Sequence, residues 1–318
     1  MENVAHTLVG AVMAKAGLDR VTELAMPTCL IAANLPDIDA LSGFWGSESY
    51  FRFHRSFTHS FAGICVLTVL LAWIVFMYDR KVRLKQNPNS PPTSFKGLLL
   101  VSFLGLLSHL ALDYTNAYGV RPLLPWSGHW FYGDIAFIVD PWIWGILGLG
   151  LFFAIKMKTR AKLIASGTLL ALVFYWIGLA VCHQIAVTRI ANLETEDAFK
   201  PAVAYAAFPV LANPLKWQCV LETPDHIWEW NENLLSGKES RVMIEFSRLK
   251  VSAQAMRSIQ STEAGRVFLN FARIYQVTVA KTGEMTQVTL RDLRFNLRSI
   301  FVLDRNFNVQ SARFLGRR

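Results

Sequence analysis

The sequence predicts a membrane all-α bundle, with four transmembrane helices and an N-terminal helical hairpin, joined to a small soluble α+β domain. Three observations lead there. Of 318 residues, 53% are hydrophobic and only 17% are charged, whereas soluble domains carry about 25% charged residues. Four apolar runs have the length and composition of bilayer spans. Beyond residue 209 the apolar residues recur with period two rather than in long runs, which marks strands. These shifts divide the chain into a polytopic helical part, 1–208, and a soluble part, 209–318.

Residues 3–16 read as a helix, with His6, Val9, Gly10 and Met13 on one face and Gly17 at its end. A second apolar helix runs over about 21–35 until Pro36 breaks it. Each is shorter than the roughly 20 residues a full span needs, so the pair is expected as a hairpin that returns Asp37 to the side where His6 begins. The four spans are 57–78, 95–112, 135–155 with Asp140 near its start, and 163–187 with His183 near its end. The loop 79–96 carries Arg80, Lys81, Arg83, Lys85 and Lys96, and the connection after the third span carries Lys156, Lys158, Arg160 and Lys162. Two spans separate them, so the positive-inside rule puts both in the cytoplasm. The segment 34–60, the loop 113–134 and everything after the fourth span are then extracytoplasmic. Past residue 184 the helix is expected to leave the membrane, with Glu194, Glu196 and Asp197 ending its apolar character. Residues 241–246, 274–280 and 285–290 read as strands, 281–284 with Gly283 as a hairpin turn, and 252–264 as a short helix.

The first twenty residues lack the basic region of a secretory signal, and His6 and Lys15 interrupt their apolar pattern. Cys29, Cys65, Cys182 and Cys219 show no paired spacing and read as small apolar residues. The net charge of +9 fits work against anionic lipid but is also what cytoplasmic loops supply by default, and no nucleic-acid partner is expected from it.

Chemistry concentrates in residues 34–60, a loop-like segment holding Asp37, Asp39, Arg52, His54, Arg55 and His59. His54 and His59 flank an expected N-cap at Ser56 or Thr58. At the end of the second span His109 and Asp113 lie four apart, hence on one helical face and able to share a metal. Taken singly, each has a bland reading. His6 is a satisfied polar group, the aspartates are turn or cap residues, and His109 with Asp113 is a structural hydrogen bond. Hydropathy, however, places His6, Asp37, Asp39, His54, His59, His109 and Asp113 on one side of the membrane. Imidazole plus carboxylate without thiolate suits zinc, manganese or iron(II) in a hydrolytic site of one or two ions. Arg52, Arg55, Arg121, His129, Asp134 and Asp140 are second-tier candidates, and Trp126, Trp130, Trp142 and Trp144 suit an interfacial belt. His183 and His226 have no partner in the sequence and read as structural. No Gly-rich phosphate loop, Gly-x-Ser-x-Gly elbow or Cys/His nucleophile pair is present.

His6-x-x-x-Gly10, Asn34-x-Pro36-Asp37-x-Asp39, His54-Arg55-x-x-Thr58-His59-Ser60 and Ser108-His109-x-x-x-Asp113 together resemble the inner-membrane-associated, LexA-regulated metal-dependent hydrolase family (domain of unknown function 457). The resemblance covers about 1–185, and the run NPLKW at 213–217 looks like members with a C-terminal domain. It implies a distant similarity to zinc-dependent phospholipase C and P1 nuclease. It also implies metal-ligand positions at His6, one of Asp37/Asp39, one of His54/His59, His109 and Asp113. Because no second His-x-x-x-Glu helix follows Asp113, the implied site is mono- or dinuclear.

The expected function is a membrane-bound hydrolase whose metal-activated water attacks a phosphorus or carbonyl centre. Whichever of Asp37 and Asp39 is not a ligand is the expected general base, and Arg55 is expected to neutralise developing phosphate charge. Position at headgroup level suggests a lipid or lipid-linked phosphoester. The rival is a non-catalytic membrane scaffold with a structural polar cluster.

Overall fold

The structure, a computed structural model, describes residues 1–195, 199–236, 242–249 and 251–315. Glu196, Asp197 and Arg241, and the side chain of Glu194, lie outside the described residues. The chain forms two compact units. One comprises Met1–Asp39, Arg55–His183 and Pro209–Pro214, and the other Ala40–His54, Gln184–Phe208 and Leu215–Arg318.

The first unit is helical. Helix α1 (Asn3–Lys15) starts where the Glu2 carboxylate accepts from the Val4 and Ala5 amides, and it ends before Gly17, whose φ of 136° suits glycine. Helix α2 (Ala25–Asn34) packs against α1 as the expected hairpin. Segment 34–60 is not a loop, as its polar composition suggested. It consists of a 3-10 run Leu35–Trp45, a helix α3 (Ser47–Phe53) and a 3-10 turn Phe57–His59, and its residues 40–54 belong to the second unit. Pro36 ends α2 yet sits in the first turn of the next helical stretch, where its missing N–H leaves nothing unpaired.

Helix α4 (Phe61–Tyr78) begins four residues later than expected. Its N-cap is Ser60, whose hydroxyl accepts from the Gly63 amide at 3.0 Å, not Ser56 or Thr58. A π-helical turn Asp79–Arg83 and a short α5 (Leu84–Gln86) prolong it. Helix α6 (Phe95–Tyr114) carries His109 and Asp113 within one regular helix. Helix α7 (Pro141–Lys156) and helix α8 (Ala161–Ala191) follow.

Among the described residues three stretches are long and apolar enough to cross a membrane: Phe61–Gln86, Phe95–Tyr114 and Lys158–Ala191. The expected third span, 135–155, is shorter than its hydropathy suggested. Asp140 is the N-cap of α7, accepting from the Trp142 and Ile143 amides, and Pro141 is its first residue, so the five residues before them add no helix. Its 16 residues reach about 24 Å at 1.5 Å each, against roughly 30 Å of hydrocarbon. Asp140 is buried and accepts from the Tyr175 hydroxyl.

Close helix approach at two glycines sets the bundle geometry. A Cβ on Gly105 would stand 2.6 Å from the Ala32 Cβ, and one on Gly10 3.0 Å from the Ala33 Cβ. Small residues let backbones approach in this way, and here they bring α1 and α6 against the same turn of α2.

The second unit carries two four-stranded sheets of sequential strands. One holds β1 (Ala204–Val210), β2 (Asn213–Glu222), β3 (His226–Asn233) and β4 (Ile244–Ser247). The other holds β5 (Tyr275–Thr282), β6 (Met285–Asp292), β7 (Arg298–Leu303) and β8 (Val309–Leu315). The β5–β6 turn carries Gly283 at φ 61°, as the hairpin reading required. The expected single helix near 252–264 is two, α9 (Ala253–Ser261) and α10 (Glu263–Phe271). Thr262 breaks it and caps the second by accepting from the Gly265 amide. Ile259 and Phe268 from these helices pack with Val288, Leu290 and Phe301 of the second sheet. The four cysteines are free.

Candidate metal centre

The end of α6 delivers His109 and Asp113 one turn apart, with the His109 Nε2 3.3 Å from Asp113 Oδ2. The 3-10 turn before α4 delivers His59, whose Nε2 lies 3.0 Å from the His109 Nε2 and 3.3 Å from Asp113 Oδ2. The stretch after α2 adds Asp37, with Oδ1 3.4 Å from His59 Nε2 and 3.6 Å from His109 Nε2. One ligand atom from each of these four residues falls within 4.8 Å of every other. His59, His109 and Asp113 are buried, and Asp37 is nearly so.

The far sides of both imidazoles are fixed. His109 Nδ1 lies 2.8 Å from the Ala33 carbonyl, which can only accept, so that nitrogen carries the proton. His59 Nδ1 lies 3.0 Å from Asp39 Oδ2, which gives it the same tautomer by the same reasoning. In neutral rings both Nε2 atoms then present lone pairs to each other and to two carboxylates. Such an arrangement calls for a cation. A tetrahedral ion with bonds of about 2.0–2.1 Å places its ligand atoms about 3.3–3.4 Å apart, and the two Nε2 atoms lie 3.0 Å from each other and 3.3 to 3.6 Å from the two carboxylates. The residues therefore fit a metal ion.

The structure separates the two aspartates. Asp37 faces the ring nitrogens that meet, whereas Asp39 holds the outer nitrogen of His59. Asp39 Oδ2 also accepts from the Arg55 amide at 3.0 Å and the Thr58 hydroxyl at 2.6 Å. A carboxylate behind a ligand histidine fixes ring orientation and raises ligand basicity.

Arg55, 2% exposed and at φ 55°, turns its guanidinium onto Asp113 Oδ1 at 2.7 Å, Asn116 Oδ1 at 3.0 Å and the Gly119 carbonyl at 3.0 Å. Its ring partner is Tyr118, 4.5 Å away. These bonds orient Asp113, a different task from the phosphate neutralisation expected of Arg55. The Met1 amino group also contacts Asp113 Oδ1. His6 stacks on His109 at 3.8 Å, with Nε2 3.5 Å from Asp113 Oδ1. Neither His6 nitrogen has a hydrogen-bond partner among the described residues. Burial first, then His109, pushes its pKa well down, which keeps the ring neutral.

His54 falls in the other compact unit, where its ring stacks on Tyr50 at 4.6 Å. Arg52 in that unit pairs with Glu263. Arg121 is buried over Trp130, the His129 ring meets Phe131 edge-on, and Asp134 is buried at φ 55°. His226 pairs with Glu245. Asn116 is the residue that sequence reasoning missed. It lies three residues beyond Asp113, past the end of α6 and fully buried, and that nearness in sequence was its one available signal.

The sequence profile of the YdjM inner membrane protein family matches residues 1–185, which contain all four clustered residues. A relative in Bacillus subtilis (strain 168), the uncharacterized protein YfhP, is 24% identical over 310 residues, covering 93% of this chain and 87% of that protein. No solved structure matches. The matched region is the part whose four motifs resembled domain of unknown function 457, and the chain belongs to this inner membrane protein family.

Proposed function

We propose that the protein is a membrane-bound, metal-dependent hydrolase of phosphoesters, including lipid or lipid-linked ones. One observation carries this reading: the Nε2 atoms of His59 and His109 meet beside Asp37 and Asp113 while their Nδ1 atoms are held from behind. Two imidazoles and two carboxylates suit zinc, with manganese or iron(II) as the next choices, as one ion or as two with His6 at the edge. A divalent cation bound there supplies Lewis acidity and a more acidic water. Asp39 holds the tautomer and angle of His59. Arg55 and Asn116 fix the Asp113 carboxylate. The distant similarity to zinc-dependent phospholipase C and P1 nuclease that the motif resemblance implies would favour phosphoester chemistry. The two basic loops support a centre on the extracytoplasmic face, beside lipid headgroups.

The test is elemental analysis of the purified protein, followed by turnover on a panel of phosphomonoesters and phosphodiesters with and without chelator. Chelator-sensitive hydrolysis is the expected result. Protein that holds its metal and cleaves nothing on the panel would leave a structural cluster in a membrane scaffold.

A further inference from the structure

An apolar groove of about 400 Å³ is lined by residues that include Phe61, Leu107, Leu110, Tyr114, Val120 and Leu123. Its volume lies within the roughly 300–1,000 Å³ of small-molecule sites. No lining residue is charged. The groove and the cluster are built from the same turns of chain. Phe61 is two residues from His59, and on α6 Leu110 and Tyr114 directly follow His109 and Asp113. The far wall is tied in place, since the Phe61 amide donates to the Pro122 carbonyl at 2.9 Å and Val120 exchanges both backbone bonds with Phe131. Val120 also joins Ile64 and Leu110 in one buried cluster.

Two features say what fills it. Phe61, Leu107, Leu110 and Tyr114 belong to two of the candidate membrane spans. Phe61 and Tyr114 are about half exposed, as side chains facing hydrocarbon would be. Between the lining residues Val120 and Pro122 stands Arg121, 8% exposed. Its Nε donates to the Arg55 carbonyl at 3.4 Å and its guanidinium lies over Trp130, but Nη2 has no hydrogen-bond partner and no carboxylate pairs with it among the described residues. The Asp39 carboxylate favours its charge from a distance without forming an ion pair, so the buried guanidinium keeps a donor to spare, and its planar fork suits a phosphate.

We propose that this groove seats a hydrocarbon chain of an anionic phospholipid, with Arg121 binding the lipid phosphate, so that the headgroup is presented to the metal centre. The proposal rests on the hydrolase reading above and names its substrate class as an anionic membrane lipid.

The experiment uses the full-length protein in lipid nanodiscs doped with a phosphatidylglycerol that carries a photoactivatable group in one acyl chain. Crosslinks are expected on Leu107 and Leu123. Filling the groove by Ala111→Trp should abolish them with metal content unchanged. Arg121→Gln should lower them at least about tenfold, the scale of one charge-assisted contact, and Arg121→Lys should restore part of the loss. A phosphatidylcholine probe of the same chain should label weakly and be indifferent to residue 121. Equal labelling by both lipids, or labelling unchanged in Ala111→Trp, would show an ordinary lipid-facing surface and overturn the proposal. Specific crosslinking by a protein that hydrolyses nothing would remove the hydrolase reading and leave the lipid site standing.

Discussion

His59 and His109, fifty residues apart in sequence, face each other Nε2 to Nε2 across 3.0 Å. Neither ring can turn away, because the Ala33 carbonyl and the Asp39 carboxylate hold their outer nitrogens. This pre-set convergence distinguishes a ligand cluster from two buried histidines, each satisfied by its own neighbour.

Removing either member of the α6 pair should remove metal. His109→Ala deletes a ligand atom and Asp113→Ala deletes another, so elemental analysis after dialysis should show little bound metal in either. Their stabilities should differ. Without Asp113 the buried Arg55 guanidinium loses its carboxylate, a change that costs about 3–5 kcal/mol for a buried pair, so Asp113→Ala should melt lower than His109→Ala in detergent. Full metal occupancy in both variants would take this helix out of the site.

The two aspartates should respond unequally. Asp37→Asn removes a carboxylate from the point where the ring nitrogens meet and should lower metal stoichiometry. Asp39→Asn keeps an acceptor behind His59 but loses its charge, so metal should still bind with affinity weaker by about 10–100-fold. Metal titration by competition with a chelator separates the two. Equal affinities in the two variants would contradict the division of labour drawn from the geometry.

The sequence disclosed the α6 pair, the hairpin of α1 and α2 and the β5–β6 turn, because each depends on local spacing or on one glycine. It did not disclose which aspartate faces the metal point, since Asp37 and Asp39 differ only in how the 3-10 run after Pro36 directs them. Arg55 read as a phosphate ligand because nothing local shows that Asp113 and Asn116, some sixty residues on, meet its guanidinium. The third apolar run was overestimated because hydropathy continues through 135–139, while the helix starts only at the Asp140 cap. Strands β1, β2, β3, β7 and β8 were missed; in β2 and β3 the apolar residues mix with Lys, Gln, Glu and Asn, which blurs the period-two pattern.

Close packing of α2 on α6 should be necessary for the site. In Gly105→Val the new Cβ would meet the Ala32 Cβ at 2.6 Å and the Cys29 carbonyl at 3.2 Å, forcing the helices apart. Overpacking of this kind costs about 1–3 kcal/mol. The same separation would draw Ala33, and with it the hydrogen bond on His109, away from α6. Both the melting temperature and the metal affinity should fall, whereas Gly145→Ala, where an added Cβ meets nothing within 4 Å, should change neither by much. Unaltered metal affinity in Gly105→Val would mean that the ligand set does not depend on this contact.

The last prediction is that α7 crosses the membrane although it is short. Its 16 residues span about 24 Å, less than the hydrocarbon thickness, yet bilayers thin locally and flanking side chains snorkel to meet such helices. Lys156, Lys158, Arg160 and Lys162 lie at its C-terminal end, and Arg80, Lys81, Arg83 and Lys85 lie before α6. If α6 and α7 both cross, the two basic groups share the cytoplasmic face, as the positive-inside rule favours. If α7 does not, one group is left outside. Single cysteines at Lys85, Lys158 and Lys281, introduced after replacing the four native cysteines by serine, can be labelled with a membrane-impermeant maleimide in intact cells and in inverted vesicles. Lys85 and Lys158 positions should label only in inverted vesicles. The Lys281 position, which follows α8, should label from the outer face. Labelling of residue 158 from outside would show that α7 turns back within the membrane. It would also reverse the expected side of the C-terminal sheets.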